Sequence, residues 1–576
     1  MPQTRYIFVS GGVLSGLGKG LITGAISLLL KSTGLKVVPV KCENYLNFDA
    51  GLINPIEHGD PFLCADGAET DMDIGTYEMF LNTNLSIDNF ITLGQIYKTV
   101  IDRERNFDYG GEDVEAIPHV TDEIIRKIKA VGKKDQADVV VVELGGTAGE
   151  YQNILYYEAS RIMKLKHHDT VVHVHVSYLP TPPHLGEPKT KPTQLSVKQL
   201  NSMGIQPDFI VARADRIIDK RRRERFALFC NLEAEDIISS PDVANIYELP
   251  LIFDSQNLTQ RLRAKLGLKP KKPQLKDWHD FIKKTNQKKI HSAEIAIVGK
   301  YFSTGDYHLT DSYRSLVEAL RHAAANSRVD LKIREINSQK LNRFNVKKLL
   351  AGVDGIIVPI GWGPRGVSGM IQAIRYAREE KIPYLGLCFG MQLSVVEFAQ
   401  NVAQLKGAHS TEIKPKTAHP VIHIIPAQLR NLKARAYGGT MRLGAYAALL
   451  KPGSQVEKLY RETGRLDEDK ARIDALAKQR MDHFRLGKLE KGRNAVLERH
   501  RHRFEVNPRF ISQVEKQGLV FSGYHVREDG TKLMEYIELP THPYFVGTQA
   551  HPEFKSRLGN PSPLFYGFVK AAMRER

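Results

Sequence analysis

Apolar runs of four to six residues recur along the chain, each closed by glycine or a charged residue and followed by a stretch of helical period. The first is Tyr6-Ile-Phe-Val, which passes through Ser10-Gly11-Gly12 into a loop ending at Lys19-Gly20, and Leu21 to Lys31 then reads as a helix. Lys36-Val-Val-Pro-Val-Lys41 is a second strand, so the chain opens as a βαβ unit. Val139-Val-Val-Val-Glu143 and Val171-Val-His-Val-His-Val176 are further strands without polar alternation, the pattern of a parallel sheet covered on both faces; the two histidines read as ordinary strand residues. A new series begins at Glu294-Ile-Ala-Ile-Val-Gly299 and continues through Gly355-Ile-Ile-Val-Pro359 and Tyr384-Leu-Gly-Leu387. Between the two series, Lys269 to His291 is lysine-rich and broken by prolines. The pattern therefore predicts an α/β protein of two α/β domains: a P-loop-like parallel-sheet domain over 1–268, a linker over 269–292, and a second domain over 293–576.

The glycine loop carries the first chemistry. Glycines let backbone N–H groups turn inward, and a helix starting near Lys19 adds the positive end of its dipole, so the loop reads as a phosphate cradle. It departs from the common lysine-glycine phosphate motif in being one residue longer between Gly12 and Gly18, and in having Gly20 where a metal-binding Ser or Thr is expected. Ser15 lies inside it and can touch a phosphate or a second ligand. Lys41 falls at a strand's C-terminal end, where ligands of open α/β sheets collect. Asp66-Gly-Ala-Glu69-Thr-Asp71-Met-Asp73-Ile-Gly75 gathers four carboxylates, either a magnesium site or an acidic surface turn. Glu143 ends a buried strand, and a carboxylate there is costly unless paired or metal-bound. Lys189-Thr190-Lys191-Pro192-Thr193-Gln194 is a stiff basic loop before a helix, and with Lys19 and Lys41 it supplies counter-charges for polyphosphates.

In the second half, Gly386-Leu-Cys388-Phe-Gly390 sets small residues two on either side of a cysteine at a strand-to-helix turn, the layout of a nucleophile elbow. A free thiol, with pKa about 8.5, needs a base nearby to react quickly at neutral pH. His551, with Glu553 to orient its ring, completes a candidate triad with Cys388; a plainly buried cysteine is the alternative. Cys42, Cys64 and Cys230 share no C-x-x-C spacing, which argues against a zinc site or a disulfide framework.

Composition adds little more. With 42% hydrophobic and 26% charged residues the chain is of globular type, and no apolar run is long enough to span a membrane. No signal-peptide pattern precedes the first strand, so a cytoplasmic protein is expected. The net charge of +17 comes without an aromatic-interleaved basic strand or a recognition helix, and anionic small substrates explain it without nucleic acid.

Taken together, Tyr6 to Gly20, Asp66 to Gly75, Glu143 to Thr147, Lys189 to Gln194, Gly386 to Gln392, Gly438-Gly-Thr-Met-Arg-Leu-Gly444, His500-Arg-His-Arg503 with Glu505, and His551 to Phe554 closely resemble the CTP synthases. These are ATP-dependent amidoligases fused to a class I glutamine amidotransferase domain. The resemblance implies that ATP phosphorylates the 4-oxygen of UTP and that ammonia from glutamine, released at Cys388, displaces the phosphate. It implies that Ser15, Gly16, Leu17, Gly18, Lys19, Gly20 and Leu21 hold ATP and UTP phosphates, that Asp73 and Glu143 bind Mg2+, and that Lys189 to Gln194 hold the uracil nucleotide. Gly361, Phe389, Gly390, Met391, Gln392, Glu412 and Arg503 would hold glutamine. It further implies activation by GTP, inhibition by CTP and a homotetramer.

Three departures from the family pattern stand out. Ile360 precedes Gly361 where two adjacent glycines are usual near the oxyanion hole, and a β-branched residue resists positive φ. Glu150-Tyr151-Gln152 replaces Asp-Ile-Glu at CTP-contacting positions, and Arg225 replaces a lysine. An extra stretch spans 461–491, with Ile473, Ala477, Met481 and Phe484 at amphipathic spacing, and it is expected to buttress the glutamine pocket. Two rival readings remain at this point. An amidotransferase-coupled ligase acting on cobalamin-precursor carboxylates would lack the Lys189 to Gln194 loop, and a non-catalytic nucleotide switch is at odds with an intact triad.

Overall fold

The computed structural model describes residues 3–184, 186–304, 307–308, 312–426, 428–478 and 483–575; Met481 lies outside them. The chain falls into two compact units, Met1–Ala50 with Asp73–Ile282, and Gly51–Met72 with Lys283–Arg576.

The first unit is built on seven parallel strands. Its elements include β1 (Arg5–Gly12), α1 (Lys19–Lys31), β2 (Val37–Glu43), α2 (Met72–Leu81), β3 (Phe90–Thr92), β4 (Val139–Leu144), β5 (Val171–Tyr178), α3 (Lys191–Ser202), β6 (Phe209–Ala214) and β7 (Ile237–Pro241). They are ordered β3-β2-β4-β1-β5-β6-β7. Central strands covered by helices on both faces need apolar residues at every position, which is why β4 reads Val-Val-Val-Val and all of its residues are buried. Register sets the site: Lys41 pairs with Glu143 across β2 and β4, Val9 pairs with Glu143 across β1 and β4, and Ser10 pairs with His175 across β1 and β5. The charged residues thus arrive side by side at the C-terminal ends of neighbouring strands.

The second unit carries a mixed sheet of ten strands. Its principal elements are β8 (His291–Gly299), β9 (Val329–Asn337), β10 (Gly355–Val358), β11 (Tyr384–Leu387), α4 (Phe389–Asn401), β12 (Arg442–Leu450), α5 (Arg465–Ala477), β13 (Ala495–His502), β14 (Val520–Val526), β15 (Lys532–Glu538) and β16 (Phe545–Thr548). The order is β9-β8-β10-β11-β16-β15-β14-β12-β13, parallel from β9 to β16 and antiparallel beyond. Helix α4 is buried from Phe389 to Ala399, so the elbow at its start is held from all sides.

Two regions differ from the sequence expectation. Residues 51–72, assigned by the sequence to the first domain, pack into the second unit: Ala445 N–H bonds the Ala65 carbonyl (2.8 Å), Arg499 bonds the Leu63 carbonyl (2.7 Å), and Arg501 pairs with Glu69 (2.7 Å). The acidic run is therefore divided, with Glu69 serving a buried ion pair and Asp73 turned to the phosphate loop. The amphipathic helix of the extra stretch is also shorter than its periodicity suggested. It ends at Ala477, which is exposed, and Phe484 sits in a separate short turn with its ring edge-on to Tyr446. Its inner face is Leu466, Asp469 and Ile473, because buried Asp469 is paired with Lys555 (2.9 and 3.1 Å) and accepts the Leu497 N–H (2.9 Å).

Candidate functional site

In the first unit, β1 runs into a loop whose glycines are required by shape. Gly16 and Gly18 have φ of 73° and 78°, a region L-residues avoid, and Gly18 caps α1 in that conformation. A Cβ on Gly20 would stand 1.9 Å from Asp73 Oδ1. Glycine replaces the expected Ser or Thr there because the Asp73 carboxylate occupies the space a side chain would fill. Ser15 is exposed at the loop tip, Leu17 is buried beneath it, and Leu21 follows on α1.

Behind the loop lies a buried charge cluster. Lys19 donates to the Gly146 carbonyl (2.8 Å), and Lys41 reaches Glu143 (2.7 Å), Glu43 (3.1 Å) and, more closely, Asp73. Tyr77 hydroxyl donates to the second Glu143 oxygen. Burial lowers Lys19 from the ordinary lysine value, with Glu143 drawing it back. Burial would raise both carboxylates. At Asp73 the charges of Lys41 and Lys19 outweigh it and hold the acid low; at Glu143 the neighbouring Asp73 charge adds to it and the acid is raised. Two carboxylates sharing one ammonium, beside a lysine and a glycine loop, are a donor set that fits a hard divalent cation as well as phosphate.

His175 ties this end of the sheet together. Its Nδ1 meets Ser10 Oγ (2.8 Å) and its Nε2 meets Ser196 Oγ on α3 (2.7 Å), with burial pushing it down to about 4, so it acts as a neutral bridge. Thr193 is buried against Ser177 (2.9 Å), and Gln194 donates to Thr190 (3.2 Å), fixing the first turn of α3. Lys189 pairs with Glu187, and Lys191, preceding Pro192 at the start of α3, lies over the Phe229 ring at 5.8 Å. Glu150 is turned back on its own loop, accepting from the Thr147 N–H (2.9 Å), while Tyr151, Gln152 and Arg225 are exposed. The structure thus gathers Lys19, Lys41, Asp73 and Glu143; Glu150 lies against Gly146, whose carbonyl Lys19 bonds, and Thr193 is held by Ser177, the partner of Gly12 in the sheet.

In the second unit Cys388 sits between β11 and α4 with φ 51° and ψ −98°, a strained turn that sets the thiol at the helix N-terminus. The small flanking residues have a steric cause: a Cβ on Gly390 would meet the Val358 carbonyl at 1.9 Å, and one on Gly386 would meet the Gly390 backbone at 2.9 Å. His551 Nδ1 bonds Glu553 (2.8 Å), and Gln549 amide faces the thiol sulfur (3.5 Å). Burial would lower His551, but the charges of Glu553 and Cys388 and hydrogen bonding to both raise it to about 10. The protonated form of the imidazole is therefore favoured beside the elbow.

Around the elbow, Phe389 lies under the Lys300 ammonium (4.8 Å), and Lys300 donates to the Trp362 (2.7 Å) and Gly363 (2.9 Å) carbonyls. Desolvation brings Lys300 down to about 8. Glu412 accepts the Gly363 N–H (2.7 Å), and burial raises it. Gln392 bridges Gln549 (3.1 Å) and the Phe504 carbonyl (2.8 Å), and Met391 is buried beside it. Arg503 donates to Gln428 and the Tyr437 carbonyl (2.5 Å each). Ile360 is buried and keeps out of the positive-φ region, whereas Gly363 adopts φ 67°, so the β-branched residue preceding Gly361 meets no backbone conflict.

Sequence reasoning missed Glu43, Tyr77, His175, Lys300 and Gln549. Only His175 carried a signal, a histidine at the sheet's ligand-facing end; the others depend on pairings between distant segments.

The N-terminal half matches the family model "CTP synthase N-terminus" over residues 5–268, and the C-terminal half matches "Glutamine amidotransferase class-I" over residues 308–571. The CTP synthase of Pyrococcus furiosus is 47% identical over 571 residues, covering 99% of this chain and 98% of its own. That of Thermococcus gammatolerans is 46% identical over 575 residues, covering 100% and 99%. A solved Trypanosoma brucei glutaminase domain is 31% identical, covers 49% of this chain and 93% of its own, and has a TM-score of 0.39.

Proposed function

The chain belongs to the CTP synthase family, and from that premise we propose how its two sites divide the reaction. The enzyme is a glutamine-hydrolysing ligase that uses ATP to aminate UTP to CTP. Nitrogen release is assigned to the second unit. Cys388 thiolate attacks the glutamine carboxamide carbon, a C–S bond forms, and the C–N bond breaks as His551 gives its proton to the departing nitrogen. Water, deprotonated by His551, then hydrolyses the thioester and restores the thiol. Glu553 orients the ring and balances its charge. Gly361, Phe389 to Gln392, Glu412 and Arg503 are proposed to bind glutamine, with backbone N–H groups at Ile360 and Gly361 receiving the oxyanion.

Activation of the pyrimidine is assigned to the first unit. Backbone N–H groups from Ser15 to Leu21, with Lys19 and Lys41, are proposed to hold the phosphates while the 4-oxygen of UTP takes the terminal phosphoryl group of ATP. Asp73 and Glu143 are the residues that would hold magnesium, which when bound neutralises charge building on the transferred phosphoryl group. Lys41, which pairs with both acids, favours their charged forms and holds them in place until then. Lys189 to Gln194 are proposed to recognise the uracil nucleotide. Family expectations extended to this chain are activation by GTP, feedback by CTP through positions including Glu150, Tyr151, Gln152 and Arg225, a homotetramer and a cytoplasmic location. Among the described residues no helix is long and apolar enough to cross a membrane.

The observation that carries this reading is the presence of two buried polar sites in two separate units: Lys41 between Asp73 and Glu143, and His551, bonded to Glu553, beside the Cys388 elbow. The test is the ultraviolet absorbance change on mixing enzyme with UTP, ATP, Mg2+ and glutamine, omitting each in turn. Formation of CTP only in the complete mixture, or with ammonia replacing glutamine, is expected. CTP formation without ATP contradicts the reading.

A further inference from the structure

The loop that follows β10 is pinned by side chains along its length. Tyr313 hydroxyl donates to the Ile360 carbonyl (3.5 Å), and Trp362 N–H donates to the Tyr301 hydroxyl (3.0 Å). Gly363 N–H donates to Glu412 (2.7 Å), while the Lys300 ammonium donates to the carbonyls of Trp362 (2.7 Å) and Gly363 (2.9 Å). Because a trans peptide sets its C=O and N–H on opposite sides, Lys300 and Glu412 clamp the Trp362–Gly363 peptide from both edges. The Ile360 and Gly361 N–H groups, by contrast, have no hydrogen-bond partner among the described residues. Gly361 lies against both the clamp and the elbow, since a Cβ there would stand 3.1 Å from Lys300 Cε and 3.1 Å from the Phe389 ring.

Lys300 is an unusual residue to find there. It is 1% exposed, and no carboxylate pairs with its ammonium among the described residues; its partners are the two carbonyls and the Phe389 ring at 4.8 Å. Burial brings it down to about 8, with the Glu412 charge opposing the fall and Arg365 adding to it, so it is mostly charged at neutral pH. A buried cation without an ion pair is costly. Two carbonyls are satisfied as well by a neutral donor, so the charge itself calls for a negative partner. The negative charge that arises beside this loop is transient: it forms on the carboxamide oxygen when a thiolate attacks.

We propose that Lys300 is a positioning residue for glutamine hydrolysis: it holds the loop from Ile360 to Gly363 so that the free N–H groups receive the oxyanion, and it sets a positive charge behind them. The inference rests on the reading that Cys388 hydrolyses glutamine. As the C–S bond forms, an electron pair of the carboxamide C=O moves onto oxygen, where the held N–H groups meet it; the pair returns as the C–N bond breaks and nitrogen leaves with the proton from His551. Lys300 touches neither the sulfur nor the reacting carbon, and its effect passes through the backbone it grips and through its field.

The test compares wild type with Lys300→Met, which keeps the apolar stem and removes the donors and the charge. Four quantities are measured: glutamate release, ammonia-supplied CTP formation, alkylation of Cys388 by iodoacetamide, and inhibition by the γ-aldehyde analogue of glutamine. The aldehyde adds to the thiol and places its oxygen where the oxyanion forms, whereas alkylation develops no oxyanion. In Lys300→Met, kcat for glutamate release should fall about 10- to 100-fold with the glutamine KM within about threefold, and aldehyde inhibition should weaken by about tenfold or more. Alkylation and ammonia-supplied synthesis should stay within about threefold. Tyr301→Phe, which releases the Trp362 N–H and leaves the ammonium in place, should show the same pattern at about three- to tenfold, and it decides the matter if Lys300→Met does not fold. A raised KM with unchanged kcat would show that Lys300 serves glutamine binding through Glu412, and a parallel loss of alkylation would show that it only supports the elbow; either overturns the proposal, as does an unchanged kcat. Wild-type enzyme that releases no glutamate would overturn the functional reading, and this inference with it.

Discussion

The phosphate loop and the cysteine elbow are the same local device, a parallel strand turning sharply into a helix, and they are built in opposite ways. At the loop positive φ is spread over Val13 (81°), Gly16 (73°) and Gly18 (78°), and charge is handled by a shared cluster of Lys19, Lys41, Asp73 and Glu143. At the elbow Cys388 itself holds the positive φ, at 51°, and charge is handled by a single histidine–carboxylate pair. The difference follows from the reactions. A polyphosphate presents charge over many atoms and needs many donors of modest strength, whereas a thiol needs one proton acceptor at one point. In both, a missing Cβ makes room: Gly20 for the Asp73 carboxylate, Gly390 for the Val358 carbonyl.

The comparison breaks most visibly if charge is removed from the cluster. Glu143→Ala leaves Lys41 with one partner fewer in a buried site and removes a proposed magnesium ligand, so ATP-dependent synthesis should fall below detection from either nitrogen source while glutamate formation persists at a basal rate. Normal CTP formation with an unchanged magnesium dependence would dismiss the assignment. Next in size is Gly20→Ala. Its Cβ would stand 1.9 Å from Asp73 Oδ1, and displacing that carboxylate should lower synthesis by about 10- to 100-fold with the glutaminase rate little changed. A variant with full synthesis would show that Asp73 has no fixed place at the loop.

On the elbow side, the support is more distant and the effects smaller. Lys555 lies two residues from Glu553 and is held by Asp469 of the extra stretch. Asp469→Ala takes the nearer of two carboxylates from a buried ammonium, leaving it Glu498 (3.4 Å) and the Leu497 carbonyl, and should destabilise the second unit by about 3 kcal/mol. In folded protein it should raise the KM for glutamine while ammonia-dependent synthesis stays within about threefold. An unchanged melting transition and glutamine KM would reduce α5 to a surface ornament. The smallest effect concerns pH. With His551 raised to about 10, its contribution to stability is complete below about pH 6.5, its unfolded value, and is lost as pH rises through about 10. Replacing it by Gln should flatten the decline of Tm over that range; an identical decline would place the alkaline sensitivity elsewhere.

Local patterns were sufficient wherever one segment decides the outcome. The strand–loop–helix of residues 6–31 and the elbow at Cys388 follow from glycine placement and period alone. Glu143 was legible as a carboxylate ending an apolar strand. What could not be read depends on partners far apart in sequence. Residues 51–72 bond to Leu443–Arg501 strands through carbonyls and through Glu69, and nothing in their composition distinguishes them from the flanking first unit. The face of α5 was misjudged because its inward position is Asp469, an acid that periodicity assigns to solvent until Lys555 is known to lie opposite. Ile360 appeared awkward because the sequence implied a strained backbone there, and the strain is instead taken up at Gly363 and Cys388.

The central claim is that one unit makes ammonia and the other consumes it. Cys388→Ala tests it most directly, by following CTP formation from UTP and ATP with glutamine and, separately, with an ammonium salt. The account predicts no CTP from glutamine and a rate from ammonia within about twofold of wild type. A folded Cys388→Ala enzyme that loses ammonia-dependent synthesis, or that still forms CTP from glutamine, would contradict it.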